Sequence, residues 1–381
     1  MMAKKLKLLN DLTASQFLAE YWQKKPLLIR QAIQNFKGLL TPNELAGLAC
    51  EIDVQSRIVK LEDNQWSVEH GPFDEAAFSS LPNTNWSLLV QSINHHLPEA
   101  ANLLTKFNFI PHVRLDDLMV SFAPTGGSVG AHVDAYDVFL LQGKGKRRWK
   151  INTKPDLALI DNSPIAILKH FEAEQEWVLE PGDMLYLPPN VAHHGIAEDD
   201  ECMTYSIGFR SPKAEELTHA FLEYLQDTIK VTGLYEDSDL TPQIHPSEIS
   251  ESMVRKVEAI LNKTRWDTDL VADFLGRYMS EPKPDIVFEP QAPIRPDDIS
   301  KRLIASTLQL NLKSQMLFSK NHFYINGEYL NVAPNIVNYM QTLADTRQLD
   351  ASTLSAELRH KIAITIQDAY SAGYIKLVDE G

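Results

Sequence analysis

Cysteine is scarce: only Cys50 and Cys202 occur in 381 residues, far apart and with no C-x-x-C spacing. That excludes a disulfide framework and a thiolate zinc finger, and it fits a reducing compartment. Long hydrophobic runs are missing too. Nothing approaches the roughly 18 consecutive apolar residues that a membrane span needs. The start, Met1-Met2-Ala3-Lys4-Lys5-Leu6-Lys7-Leu8-Leu9-Asn10-Asp11, is basic but has no apolar stretch long enough for a signal peptide. A cytoplasmic protein without a membrane partner is the expectation. Positive charge is in short supply, with 36 Lys and Arg against 51 Asp and Glu, a net charge of −15. A chain of that sign does not coat nucleic acid through bulk charge, and no direct nucleic-acid binding is expected. Residues 211–300 hold 18 acidic and 9 basic side chains, so they contribute −9 of the −15.

What is present is the length and apolar content of two or three domains. Phe17, Leu18, Tyr21 and Trp22 recur at helical spacing until Pro26, and Leu27-Leu28-Ile29 follows as a strand. Thr41-Pro42-Asn43-Glu44 is a helix start, with a capping hydroxyl, proline at the first position and a carboxylate that reaches back. Between residues 110 and 210 short β-rich runs (118–122, 138–141, 149–151, 184–187, 204–209) alternate with Gly/Pro turns, which predicts an antiparallel barrel or jelly roll. Beyond Pro212 the period becomes helical. Leu217, Phe221, Tyr224, Leu225 and Ile229 make one apolar face. Ile249, Met253, Val257 and Ile260 make a second, and Trp266, Leu270, Phe274 and Tyr278 a third. Five prolines between 282 and 296 mark a linker. The remainder reads as a small α+β unit, with a hairpin turning at Asn326-Gly327, two helices and a closing strand at 374–377.

The chemistry concentrates in two segments. In Gly130-Ala131-His132-Val133-Asp134, strand alternation sends His132 and Asp134 to one face. One imidazole and one carboxylate are two-thirds of a facial triad, the three-ligand set that holds divalent iron with open coordination positions. In Pro188-Pro189-Asn190-Val191-Ala192-His193-His194, His193 lies 59 residues after Asp134. Adjacent strand residues point to opposite sides, so only one of the two histidines can complete the set, and His193 is preferred. A lone H-x-D is commonly a buried, satisfied histidine; the second segment makes metal binding the better reading. In Lys144-Gly145-Lys146-Arg147-Arg148-Trp149-Lys150, alternation puts Arg147 with Trp149. Most of these cations read as a solvated strand face. If the Trp149 side is inside, however, Arg147 is a buried cation facing the metal cavity, and a buried guanidinium needs an anion. A dicarboxylate such as 2-oxoglutarate is the candidate. Asp117, Met119 and Ser121 share one parity on the preceding strand. Ser121 and Met119 are candidates for the cosubstrate, and Asp117 for a cationic substrate side chain. Against these stand strand-end solvation for Asp117 and core packing for Met119. Tyr136, just behind the H-x-D pair, is a candidate for the substrate entrance.

Several segments together resemble the bacterial ribosomal oxygenases, which are JmjC/cupin-type proteins: Phe17-Leu18-Ala19-Glu20-Tyr21-Trp22-Gln23-Lys24-Lys25-Pro26-Leu27, His70-Gly71-Pro72-Phe73, Asn85-Trp86-Ser87-Leu88-Leu89-Val90-Gln91, and the two metal segments. The likeness runs over essentially the whole chain and is densest in 15–210. It implies a mixed α and β protein with a double-stranded β-helix, then a helical dimerisation region, then a winged-helix-like C-terminal domain. The expected boundaries are 1–212, 213–282 and 283–381. It also implies Fe(II) held by His132, Asp134 and His193, with 2-oxoglutarate and oxygen as cosubstrates and Arg147 on the far carboxylate. The implied activity is hydroxylation of an arginine β-carbon in large-subunit ribosomal protein sixteen by a homodimer. One departure stands out: His194 occupies the position after the last ligand where the family pattern carries glutamate or glutamine, so His193 and His194 both stay open there. A related histidine hydroxylase and a non-oxygenase metal-binding cupin are the competing readings.

Overall fold

The computed structural model describes residues 4–379; residues 1–3, the first of the basic start, and 380–381 lie outside them. The chain forms two compact units.

The first unit, residues up to 211 with 283–290 and 311–313, is a two-sheet jelly roll. Its larger sheet has eight strands, in the order Leu27–Ile29, Met184–Leu187, Asp137–Lys144, Cys202–Phe209, Leu115–Ala123, Trp86–Val90, Ser56–Glu62 and Gln65–His70. The smaller sheet runs Gln175–Leu179, Arg147–Asn152, Ala192–Ala197 and His132–Val133. Every pairing in both sheets is antiparallel.

Central strands of the larger sheet are covered on both sides, which is why they read as continuous apolar runs rather than alternating ones. In Asp137–Lys144 the side chains of Phe139 and Leu141 pack outward into the main core, and those of Val138 and Leu140 pack toward the smaller sheet. On the outer side Phe17 packs tilted against Phe139 and edge-on against Tyr186, with Phe107 and Phe209 completing the aromatic cluster. Thr41 caps its helix as the sequence predicts: its hydroxyl accepts from the Glu44 amide, and the Glu44 carboxylate accepts from the Thr41 amide. Asp137, fully buried, accepts from Tyr186 Oη (2.6 Å), Gln23 Nε2 (3.0 Å) and Arg114 (3.4 Å), tying the amino-terminal helix to the barrel.

The second unit begins with helices Ala214–Thr228, Glu251–Leu261 and Thr268–Ser280. Its remainder has its own core of Ile299, Leu308, Phe323, Met340 and Ile362 among others, under two three-stranded sheets. Asn326 and Gly327 both take positive φ, the backbone that a two-residue hairpin turn requires. The hairpin's second strand ends at Leu330, two residues sooner than the pattern suggests, and the last helix is Ala356–Ser371.

The strands Ser56–Glu62, Gln65–His70 and Trp86–Val90 extend the main sheet, and among them Gln65–His70 alternates half-buried Trp66 and Val68 with exposed polar residues. Gln65–His70 is a polar edge strand, mostly exposed, and edges are where apolar patterning is weakest.

Candidate active site

The two sheets of the first unit enclose a cavity of about 470 Å³. Because side chains alternate along a strand, the wall strands give it mainly every second residue, with neighbours such as Asp116 and Val133 added at strand ends. Leu115–Ala123 contributes Asp117, Met119 and Ser121; Arg147–Asn152 contributes Arg147 and Trp149; Cys202–Phe209 contributes Thr204 and Ser206.

At one end His132 and His193 sit directly opposite each other on paired strands, with ring centres 4.2 Å apart. Asp134 completes the group. Its carboxylate oxygens lie 3.6 Å from His193 Nε2 and 4.0 Å from His132 Nε2. One ligand-type atom from each of the three falls within 4.8 Å of the others. The far ring nitrogens are tied to the backbone: His132 Nδ1 to Gly130 O (3.0 Å) and His193 Nδ1 to Val191 O (3.1 Å). A carbonyl partner fixes Nδ1 as the donor, so each Nε2 offers its lone pair to the centre of the group. Burial and the neighbouring His132 push His193 down to about 4, which keeps its imidazole neutral and able to coordinate. His194 is elsewhere. It turns to the other face and packs edge-on against Phe171, with ring centres 6.0 Å apart. The two histidines that the sequence left open are thereby separated by strand parity alone.

Arg147 is 4 % exposed and lines the same cavity. Its Nε donates to Cys202 Sγ at 3.3 Å, and no carboxylate pairs with it among the described residues. Four buried side-chain polar atoms among those residues have no hydrogen-bond partner. Three of them line this cavity: Ser87 Oγ, one terminal nitrogen of Arg147 and Trp149 Nε1. Buried donors left unpaired are costly, and here they converge on one space. A carboxylate entering the cavity is the partner they lack.

Asp117 is 7 % exposed, so the competing reading of a solvated strand end does not hold. The reason is the three-strand extension beside it. The Ser92 amide and hydroxyl, just past Trp86–Val90, both donate to Asp117 Oδ2, at 3.0 and 3.1 Å. Burial pushes the Asp117 carboxyl up, against the pull of nearby Lys283. Ser121 is buried on the cavity wall, and Met119 is half-buried there rather than in the core. Tyr136, 42 % exposed, stands at the rim, its phenol pushed up by burial and by Asp134 and Asp117.

Several wall residues escaped the sequence reading: Ser87, Arg57, Thr204, Ser206, Asp116 and Lys283. For Thr204 and Ser206 there was a signal, since hydroxyls at every second position of an otherwise apolar strand mark an inward polar face. For Lys283, set in the proline-rich stretch, there was none.

Residues 102–217 match the JmjC domain family, and residues 263–374 match the ROXA-like winged helix. The chain is 37% identical over 324 residues to the ribosomal protein uL16 3-hydroxylase of Escherichia coli, a match that covers 82% of this chain and 84% of that protein. The chain belongs to the ribosomal oxygenase family. A probable ribosomal oxygenase of Haemophilus influenzae is 34% identical, over 91% of this chain and 89% of that one. Among solved structures, the ribosomal oxygenase YcfD from Escherichia coli in complex with cobalt and 2-oxoglutarate superposes with a TM-score of 0.84 at 33% identity, covering 97% of this chain and 99% of that one. This ribosomal oxygenase therefore has the JmjC-type double-stranded β-helix and the winged helix that its sequence implies.

Proposed function

We propose that this ribosomal oxygenase is an Fe(II)- and 2-oxoglutarate-dependent dioxygenase that hydroxylates C3 of an arginine in large-subunit ribosomal protein uL16. The observation that carries the reading is the pairing of a His132–Asp134–His193 group with an uncompensated, buried Arg147 in one cavity. Two neutral imidazoles and a carboxylate are the donor set of non-haem Fe(II) enzymes. Bound there with 2-oxoglutarate and oxygen, iron supplies oxidative decarboxylation to succinate and carbon dioxide, coupled to insertion of one oxygen atom into a C–H bond.

The chain's own residues do the positioning. His132, Asp134 and His193 would hold the metal at the end of the cavity. Arg147 takes the distant carboxylate of the cosubstrate, with Ser121 and Met119 on the adjoining wall. Asp117 Oδ1 accepts no hydrogen bond within the protein and faces the cavity, so it is available to a guanidinium. Two carboxylates at this end, Asp116 and Asp117, suit that cation better than a neutral imidazole, which favours arginine over histidine as the target. Tyr136 borders the route in.

Succinate formation measured with and without uL16 tests the assignment. Turnover stimulated by uL16 is expected; equal turnover without it would remove uL16 as the substrate. The helical segment also leaves Leu222, Val254, Val257, Leu261 and Trp266 exposed. We assign these apolar side chains to a contact with a second copy. Light scattering that reports only monomer across micromolar concentrations would overturn that assignment.

A further inference from the structure

One cation in the cavity has no part in holding metal or cosubstrate. Lys283 lies outside the stretch that matches the JmjC family, yet it packs with the first unit and lines the cavity wall. It stands between Pro282 and Pro284. Proline fixes its own φ and confines the residue before it to extended backbone, so the segment that carries Lys283 is stiff. Its ammonium nitrogen is 3.0 Å from Asp116 Oδ1. Burial works to lower this ammonium, but the Asp117 and Asp116 carboxylates outweigh it and the net shift is upward. The two carboxylates that line the substrate space hold the Lys283 ammonium above its ordinary range despite its burial.

The pair is built to be broken. Both its side chains are partly exposed, and exposed ion pairs are weakly held. Asp117 is different. It is buried and already anchored by Ser92 on one oxygen, while Oδ1 stays open. A guanidinium entering the cavity finds one fixed carboxylate with a free acceptor and, beside it, a second one occupied by the partly exposed Lys283 ammonium. Arg57 lines the same wall, and Arg210 lies near Lys283.

We propose that Lys283 is a stand-in cation: it occupies the acidic end of the cavity in the free protein and is displaced toward solvent when the substrate's guanidinium arrives. The inference rests on the arginine-hydroxylase reading above and adds a specificity-determining residue to it. Holding the place in this way keeps two neighbouring carboxylates from facing each other unpaired. It also sets a threshold that only a cation able to bridge both carboxylates passes, and a neutral side chain does not.

Two measurements test it, both on the full chain with recombinant uL16. In the first, Lys283→Met is expected to lower the KM for uL16 by about three- to tenfold, because the competitor is gone. Lys283→Arg, which restores a cation, is expected to return KM to the wild-type value or above. In the second, Lys283 is labelled with an amine-acylating reagent and quantified by peptide mass spectrometry, with metal present and 2-oxoglutarate omitted so that no turnover occurs. Acylation of Lys283 should rise when uL16 is added. A raised KM in Lys283→Met together with slower labelling under uL16 would mean that Lys283 holds the substrate, and the proposal falls. An unchanged KM overturns it as well. If the wild-type protein does not turn over uL16 at all, the arginine-hydroxylase reading itself fails, a result distinct from either of these.

Discussion

Replacing Arg147 with methionine is expected to raise the KM for 2-oxoglutarate by about two to three orders of magnitude while the protein keeps its iron. The size follows from the environment. A buried guanidinium without a counter-ion is an unmet electrostatic demand, and truncating one member of a buried charge pair costs roughly 3–5 kcal/mol. Methionine has similar length and fills the same space beside Trp149, so the barrel should stay folded. What is lost is the charge. Arg147 rests against the Trp149 ring, 5.8 Å from its centre, and donates through Nε to Cys202 Sγ, and neither a ring nor a thiol neutralises its charge. The full positive charge is left for the ligand. Calorimetric titration of metal-loaded protein with 2-oxoglutarate measures the effect directly. An affinity within about threefold of wild type would show that the distant carboxylate is bound elsewhere.

The second large effect separates two neighbours. His193→Ala is expected to remove stoichiometric Fe(II) binding and to lower turnover by at least about a thousandfold. His194→Ala is expected to keep both the iron and most of the activity. The structural basis is the direction of each ring: His193 Nε2 is 3.6 Å from the Asp134 carboxylate, whereas His194 lies against Phe171 on the opposite face of the strand. Metal analysis after desalting, beside turnover of both variants, reads the difference. Loss of iron in the His194 variant with retention in the His193 variant would exchange their roles.

Much of this site was legible because its chemistry rides on strand alternation. Once His132 and Asp134 are taken to share a face, parity also places Arg147 with Trp149, and Ser121 with Met119 and Asp117, on one wall. The structure brings all of them to one cavity. Three things were not legible. The strands at Ser56–Glu62, Gln65–His70 and Trp86–Val90 are one case: Trp86–Val90 and the start of Ser56–Glu62 lie inside the sheet and are buried on both faces, which erases a period of two, and only Gln65–His70 is the edge. Burial of Asp117 depends on Ser92, a contact between residues 25 apart that no local pattern encodes. Lys283 sits in a proline-rich stretch that reads as a linker, and only the folded chain carries it to the cavity. The antiparallel barrel followed from short β-rich runs between turns, and the winged helix from the family resemblance; these three needed long-range packing.

The most direct test of the central claim is tandem mass spectrometry of uL16 after incubation with this protein, Fe(II), 2-oxoglutarate and oxygen, with His132→Ala as the control. The account predicts a gain of one oxygen atom on an arginine of uL16, placed at C3 and absent in the control. Oxygen on a histidine, or on another ribosomal protein, would contradict the assigned target. No added oxygen despite bound iron would contradict the oxygenase assignment itself.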